Sequence, residues 1–249
     1  MMLTAAQAIE CFHLGFLEVL RTRMDEGRYV LKGGVNLRYF FGSVRYSEDI
    51  DLDINGIEGW KLEEQIDKTL ASAALTIVLR SAGVRISSAE ITKPKQTDTT
   101  RRWKLPIAAD GLRTSVRTKI EFSARNGEDR FALDTVPDDI TRPYAMRPPS
   151  VQHYLLGPAT EQKVVALALR PETQARDVFD LDLLLRKAPL EQRRVSTKDR
   201  EAAAERAVSL PYAAFEDQVL PFLDSAVASI YDKAAWEQMQ DFVAGQLLL

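Results

Sequence analysis

Three aspartates alternate with apolar residues in the segment SEDIDLDI, where their spacing is suited to shared chemistry. Asp49, Asp51 and Asp53 occupy every second position, and an isoleucine or leucine follows each of them. Alternate side chains of an extended strand point to the same side, so the spacing predicts a strand with one apolar face and one carboxylate face. Like charges at this spacing repel each other. The pattern indicates a metal ion, a basic side chain or only water beside the carboxylates.

A strand, a turn and a helix are predicted just before the aspartates. The segment RYVL at 28–31 is a short strand candidate with apolar residues after its arginine, the pair Gly33 and Gly34 ends that strand, and residues 35–41 predict a helix. Glycines allow a triphosphate to approach the backbone at a helix N-terminus, where unpaired N–H groups and the helix dipole favour anions. Carboxylates one residue apart can share Mg²⁺ ions, which neutralise a triphosphate and activate an attacking oxygen. The unit therefore has the parts that phosphoryl or nucleotidyl transfer requires.

A third carboxylate is expected from a neighbouring strand. In the predicted strand 115–123, apolar positions alternate with Arg117, Lys119 and Glu121, so one face is charged. Glu121 is therefore the candidate for the third metal ligand. Further strands are predicted near residues 84–92 and 101–109.

Two helices are predicted around these strands. Thr4 and Gln7 resemble a capping box, from which a first helix runs to about Met24. Residues 59–80 carry one apolar stripe at helical spacing, which includes Ile77, and predict a single helix.

The chain divides into a mixed half and a helical half. The turn-rich stretch 136–150 contains four prolines, and the pattern after it is helical up to the C terminus. We expect an α+β protein with a boundary near 145–158. Residues 1–145 would form a domain with a mixed sheet and flanking helices, and residues 150–249 a helical domain.

Four motifs, in order along the chain, resemble those of a known family. They are LKGG at 31–34 with RYSEDIDL at 45–52, KIE at 119–121, EQKVVAL at 161–167 and RDVFDL at 176–181. Together they resemble the AbiEii/AbiGii nucleotidyltransferase toxins, a branch of the polymerase-β-like nucleotidyltransferase superfamily, and the tRNA-modifying MenT-like toxins within it.

The resemblance implies a fold and an activity. It implies an N-terminal polymerase-β-like domain and a helical C-terminal domain, with the active site between them. It implies an enzyme that uses an NTP with Mg²⁺, with two ions expected, and adds nucleotides to RNA, notably to the 3′ end of tRNA. Such enzymes act in toxin–antitoxin or abortive-infection modules, so a cognate antitoxin is an expected partner.

The resemblance also implies roles for particular residues. The implied catalytic residues are Asp49, Asp51, Lys163 and Asp177. The implied metal ligands are Asp49, Asp51 and Glu121. The implied nucleotide-binding residues are Lys32, Gly33, Gly34, Ser47, Lys163 and Asp180. The superfamily often has serine at the second glycine, so a hydroxyl contact to phosphate is absent at Gly34.

Other interpretations of these residues stay open. Asp177 and Asp180 lie within one turn of Arg176 on a predicted helix and could form a surface ion-pair cluster. Lys163 could be a solvated charge. Asp53 is either an extra carboxylate near the metals or the solvent-side residue at the end of its strand. An EF-hand loop is disfavoured, because Leu62 stands where that loop requires glutamate.

Residues 93–119 form a basic run, with eight lysines or arginines and two aspartates around Trp103. The run is either a path for an RNA backbone or the solvated face of a sheet. His13 and His153 are isolated and are interpreted as structural residues, and Cys11 as a small buried apolar residue.

Composition restricts the class of protein. The net charge of -3 disfavours wholesale attraction to nucleic acid, and the single cysteine, Cys11, excludes internal disulfides and cysteine-based zinc sites. Charged residues interrupt the first apolar stretch, which disfavours a membrane span. We expect a cytoplasmic enzyme without a membrane partner. The alternatives are transfer to a protein or small-molecule hydroxyl, or a non-enzymatic nucleotide-binding protein.

Overall fold

The computed structural model describes residues 2–124 and 130–249. The chain forms two compact units. The first contains the residues up to Phe40 and Tyr46–Tyr154, and the second contains Phe41–Arg45 and Leu155–Leu249. A five-residue segment of the N-terminal half therefore belongs to the same unit as the C-terminal helices.

The first unit is built on a mixed sheet, and its described strands are numbered in chain order. They are β1 Tyr29–Lys32, β2 Asp49–Ile54, β3 Val84–Ile86, β4 Thr92–Gln96, β5 Thr100–Ala109, β6 Val116–Ala124, β7 Phe131–Thr135 and β8 Ser150–Tyr154. The order across the sheet is β3-β5-β6-β2-β1-β8-β7, and β4 pairs with β5. Strand β2 lies between β6, to which it is parallel, and β1, to which it is antiparallel. The aspartates of β2 therefore lie near the centre of the sheet.

Helices flank the sheet and form the second unit. Those of the first unit are α1 Ala5–Leu20, α2 Gly33–Phe40, α3 Gly59–Leu70, α4 Ala73–Ser81 and α5 Asp138–Thr141. Those of the second are α6 Leu156–Leu169, α7 Ala175–Lys187, α8 Thr197–Ser209, α9 Tyr212–Gln218, α10 Ser225–Ala228 and α11 Lys233–Leu248. The predicted α+β class, with a mixed sheet and a helical C-terminal region, is confirmed. Every helix in the described ranges is too short or too polar to cross a lipid bilayer.

The core of the first unit lies on one face of the sheet. Ile50 and Leu52 of β2, Trp103 of β5, and Ile120 and Phe122 of β6 are at most 1% exposed. Helix α1 packs against β5 and β6. Burial of each such side chain contributes about 1.5–3 kcal/mol to the stability of the fold. Because successive side chains of β2 and β6 alternate between faces, as predicted, their charged residues lie on the opposite face of the sheet.

Helix α1 begins as predicted and ends early. The Thr4 hydroxyl accepts from the Gln7 backbone N–H at 3.2 Å, and the Gln7 side chain accepts from the Thr4 N–H at 3.0 Å, which confirms the capping box. The helix ends at Leu20, four residues before Met24.

The single helix predicted for residues 59–80 is wrong. The chain forms α3 and α4 instead, because Ser72 caps α4 by accepting from the Leu75 N–H at 3.2 Å. The interruption changes the helical phase, so Ile77 of the predicted stripe is 68% exposed.

The strand predicted at 84–92 is also wrong in its extent. The structure has β3 at Val84–Ile86 and begins β4 only at Thr92. Residues Ser150–Tyr154, which the turn-rich sequence did not reveal as a strand, form β8 beside β1.

The second unit has an aromatic core of its own. Phe215 and Trp236 are at most 1% exposed, and their rings stack with centroids 4.8 Å apart. Phe179 of α7 packs on the same cluster, 6.1 Å from the Phe215 ring. This packing fixes α7, which carries Asp177 and Asp180.

Candidate functional site

The three aspartates of β2 form a carboxylate row, the name kept here for Asp49, Asp51 and Asp53. In the sheet register, Asp51 lies directly between Lys32 of β1 and Glu121 of β6. Asp49 lies opposite Lys119 of β6. Because opposite residues in a ladder share a face, the row meets both carboxylates and lysines.

Asp53 is neutralised by the protein itself. Its side chain is buried, forms an ion pair with Lys32, and accepts a hydrogen bond of 2.8 Å from the Tyr154 hydroxyl. The interpretation of Asp53 as a solvent-side residue is therefore wrong. The cation at this end of the row is therefore the Lys32 ammonium. Through Lys32 and Tyr154, Asp53 links β2 to β1 and to β8.

Two of the predicted metal ligands have cationic neighbours. The Lys119 ammonium lies 3.0 Å from a carboxylate oxygen of Asp49 and 3.8 Å from one of Glu121. Arg102 of β5 donates to Glu121 at 2.6 Å. Glu121 is thus held by Arg102, whereas Asp49 stays half-buried beside one lysine.

Asp51 is the carboxylate of the row for which the described part of the chain provides no ion pair. Among the described residues, no cationic side chain lies within 4.0 Å of it. Burial raises the pKa of Asp51 above its usual range, Asp49 and Glu121 add to this effect, and Lys119 and Lys32 oppose it. The protein alone therefore disfavours the charge on Asp51, and an added cation would stabilise it.

Gly33 begins α2 directly beside Asp51. Its φ is +68°, in the left-handed region that favours glycine. A Cβ atom at this position would lie 3.0 Å from an oxygen of Asp51. A side chain here would be strained by the positive φ and would press on the Asp51 carboxylate, so the start of α2 and that carboxylate lie close together. The next residue, Gly34, is buried.

Ser47 lies in the loop that leads into β2. Its hydroxyl donates to the backbone carbonyl of Asp49 at 2.9 Å. On β6, the Thr118 hydroxyl donates to the carbonyl of Glu48 at 2.6 Å. These two bonds fix the backbone at the start of the carboxylate row.

The carboxylate row supplies only part of the ligands of a divalent cation. It therefore fits a cation that is also bound by substrate phosphates better than a cation bound by protein side chains alone. Within the described ranges, no group of three His, Cys, Asp or Glu side chains is arranged to hold a metal ion. Mg²⁺ commonly binds one or two carboxylates together with substrate phosphates. Asp49 and Asp51, the two half-buried members of the row, match that donor set.

A buried charge network surrounds the second group of predicted residues. Lys163 of α6 lies 2.9 Å from Asp177 and 2.6 Å from Asp180, both on α7. The two aspartates are 0% exposed, and Lys163 is 9% exposed. The interpretations of Lys163 as a solvated charge and of the aspartates as a surface cluster are therefore wrong.

Two arginines complete this network. Arg45 donates to both oxygens of Asp180, at 3.1 and 2.9 Å, and Arg170 lies 3.0 Å from Asp177. Burial tends to raise the pKa of Asp180, but Arg45 and Lys163 outweigh it and hold the pKa below its ordinary value. We name these five residues the buried charge network.

Arg45 stands in the motif RYSEDIDL, but the sequence pattern predicts no role for it. Arg45 and Asp180 are 135 positions apart, so local spacing holds no sign of the pair. The available signal was indirect, since aspartates on a helix face that also carries buried leucines require cationic partners.

The isolated histidines and the cysteine are buried in the first unit. Burial lowers the pKa of His13 to about 3, and its ring lies 3.1 Å from the Thr118 hydroxyl. His153 lies 3.0 Å from Asn36. Burial raises the pKa of Cys11 to about 12, which leaves a neutral thiol. Each is a packed side chain with partners inside the first unit.

The fold is similar to three solved structures along nearly the whole chain. JHP933 from Helicobacter pylori has a TM-score of 0.63 and 17% identity, covering 100% of this chain and 94% of that one. A putative nucleotidyltransferase from H. pylori has 0.60 and 18%, covering 95% and 92%. The nucleotidyltransferase toxin MenT4 from Mycobacterium tuberculosis has 0.60 and 16%, covering 97% and 84%. At these identities the likeness concerns the fold.

The class of the protein, nucleotidyltransferase, follows from its match to a protein family. The family model described as nucleotidyl transferase AbiEii toxin, type IV toxin–antitoxin system, matches residues 16–248. The chain therefore belongs to the AbiEii family of nucleotidyltransferase toxins. This confirms the family predicted from the four motifs and the enzyme class. Enzymes of this class take an NTP, generally with a divalent metal ion. No curated protein sequence matches the chain.

Proposed function

We propose that this protein transfers nucleotides from an NTP to RNA, with the 3′ end of tRNA as acceptor, as the toxin of a two-component module. Family membership supports transfer and the toxin role. The observation that carries the site is the position of Asp51, which has no ion pair with any described residue and lies against the glycine that begins α2.

Asp49 and Asp51 would hold Mg²⁺, with two ions expected, together with phosphate oxygens of the NTP. When bound, Mg²⁺ neutralises charge on the triphosphate and lowers the pKa of a bound attacking hydroxyl. Gly33 and Gly34 leave room for phosphates at the N-terminus of α2, where backbone N–H groups favour anions. Lys32, beside the row, stays a proposed nucleotide-binding residue.

The other proposed site residues act around this pair of aspartates. Ser47 positions the backbone before Asp49. Glu121 is paired with Arg102 and would act as a third metal ligand only if the metal ion replaced Arg102 as its partner. In the buried charge network, contacts with Asp177 and Asp180 hold the Lys163 ammonium in one position. That fixed positive charge supports a role of Lys163, Asp177 and Asp180 in binding a triphosphate.

The test is nucleotide transfer with each labelled NTP, Mg²⁺ and total RNA. Asp49→Ala and Asp51→Ala should each abolish incorporation without lowering the melting temperature. The control is Asp217→Ala, which removes an exposed carboxylate that has no ion pair among the described residues. A chelator should stop the reaction, and Mg²⁺ should restore it. Near wild-type transfer by either variant would remove that aspartate from the site. If the labelled nucleotide were found in protein or in small molecules instead of RNA, RNA would be rejected as the acceptor.

The toxin role has a separate test. We propose a cognate antitoxin partner and action in the cytoplasm, where NTPs and RNA occur together. Expression of the wild-type chain should arrest bacterial growth, and expression of Asp51→Ala should not. Equal growth in both cultures would contradict the toxin role.

A further inference from the structure

The basic run of residues 93–119 spreads its charges over two faces of the sheet. On the core face, Lys93 and Arg101 point toward α3. Lys93 lies 2.8 Å from Glu63 and also pairs with Asp67, and Arg101 lies 3.0 Å from Glu63. Carboxylates of α3 therefore neutralise the cations of this face.

The opposite face keeps its positive charge. Lys95, Lys104 and Arg117 are exposed and have no ion pair among the described residues. Lys95 lies directly opposite Arg102, and Lys104 directly opposite Lys119. Like charges directly opposite each other destabilise a sheet. Arg102 and Lys119 are paired with Glu121 and Asp49, whereas Lys95 and Lys104 add two positive charges that have no ion pair among the described residues, which points to an anionic ligand there.

The uncompensated cations lie on the same face as the carboxylate row. Lys104 pairs with Lys119, which pairs in turn with Asp49, so Lys104 is two strands from Asp49. Lys95, Arg102, Glu121 and Asp51 lie opposite one another on successive strands, so Lys95 is three strands from Asp51. Strands lie about 4.8 Å apart, which gives roughly 10 Å and 14 Å for these separations.

We infer that Lys95, Lys104 and Arg117 form an acceptor track, which binds the phosphate backbone of the single-stranded 3′ end of RNA and directs its terminal hydroxyl to Asp49 and Asp51. The inference rests on the proposed function and specifies its acceptor surface. A nucleic acid strand fits because its phosphates repeat along the chain, as the cations repeat across the strands.

The binding experiment needs neither NTP nor metal. Fluorescence anisotropy measures the affinity of the full chain for a labelled single-stranded RNA at several salt concentrations. The variant is Lys95→Ala/Lys104→Ala/Arg117→Ala. Three lost phosphate contacts should lower the slope of log affinity against log salt by about 2, since each contributes about 0.7. At 0.1 M salt the affinity should fall by about 10- to 100-fold.

A second triple variant is the matched control. Arg80→Ala/Lys187→Ala/Lys198→Ala removes the same charge from exposed residues that also have no ion pair among the described residues. This control should keep the wild-type salt slope. Equal slopes and affinities for the two triple variants would overturn the acceptor track, because net charge alone would then explain the binding.

A transfer assay with bulk tRNA separates the track from the proposed function. The track variant should raise the KM for tRNA by about 10- to 100-fold and leave the KM for NTP unchanged. If the wild-type chain labels no RNA, the proposed function fails, and the anisotropy result still decides the track. Unchanged KM for tRNA in the track variant would overturn the inference even if transfer occurs.

Discussion

Replacement of Lys163 by methionine should destabilise the second unit. The Lys163 ammonium bridges Asp177 and Asp180, both fully buried, at 2.9 and 2.6 Å. Methionine keeps the length and apolar stem of the side chain but removes the charge. Two buried carboxylates would then lose a shared partner.

The magnitude follows from the partners that remain. Breaking a buried ion pair on one side costs about 3–5 kcal/mol. Asp180 keeps two contacts with Arg45 and Asp177 keeps Arg170, so we expect the lower end, about 3 kcal/mol. For a chain of this size, 1 kcal/mol shifts the melting temperature by about 2–4 °C, which gives a fall of about 6–12 °C.

Thermal denaturation measured by circular dichroism tests this expectation. The matched control is Lys187→Met on α7, where an exposed lysine should change stability by no more than about 0.5 kcal/mol. Lys163→Arg, which keeps the charge, should melt closer to the wild type. Equal melting temperatures for Lys163→Met and Lys187→Met would refute the structural reasoning about the network.

Transfer activity of the same variants then separates stability from chemistry. At a temperature well below both melting transitions, Lys163→Met should remain folded and lose activity if the ammonium contacts the triphosphate. Lys187→Met should keep wild-type activity. Full activity of folded Lys163→Met would leave Lys163 with a structural role alone and remove it from the proposed triphosphate-binding residues.

Three further outcomes are expected. Gly33→Ala should abolish transfer and lower the melting temperature, because its Cβ would crowd Asp51 at a φ of +68°; unchanged activity would contradict this. Without metal at neutral pH, Asp51→Asn should raise the melting temperature, since the fold disfavours that charge, whereas Asp53→Asn should lower it by removing the carboxylate that pairs with the half-buried Lys32; the reverse order would refute both roles. The ionised Asp180 carboxylate, whose pKa is lowered, contributes stability that is present at neutral pH and lost as the pH falls through that pKa. The melting temperature of Asp180→Asn should therefore fall less on acidification than that of the wild type.

Local patterns predicted the elements that carry the first site. The alternation of acids and apolar residues defined β2, and the glycine pair marked the start of α2, because both signals lie within a few residues. Glu121 was predicted from the charged face of β6, and the parallel register does place it beside Asp51. Sheet geometry makes such neighbours predictable once both strands are recognised.

The partners of these residues were not predictable in the same way. Tyr154 reaches Asp53 across 101 positions, and it does so from β8, a strand hidden in a turn-rich stretch. Arg45 reaches Asp180 across 135 positions. Pairs at such separations depend on tertiary packing, for which a single sequence holds no periodic signal. The end of α3 was missed although Ser72 is a standard N-cap residue, because the apolar stripe appeared to continue past it.

The charges around the carboxylate row explain why three aspartates at alternate positions are tolerated. Asp49, Asp53 and Glu121 each pair with a cationic side chain, namely Lys119, Lys32 and Arg102. The negative charge that no ion pair among the described residues offsets lies at Asp51, beside the start of α2. A divalent cation there would change the charge at this point from negative to positive and would favour a triphosphate beside it, whereas the acceptor-track cations lie roughly 10 Å or more away. Metal and nucleotide should therefore bind cooperatively, with Asp51 as the residue through which each favours the other.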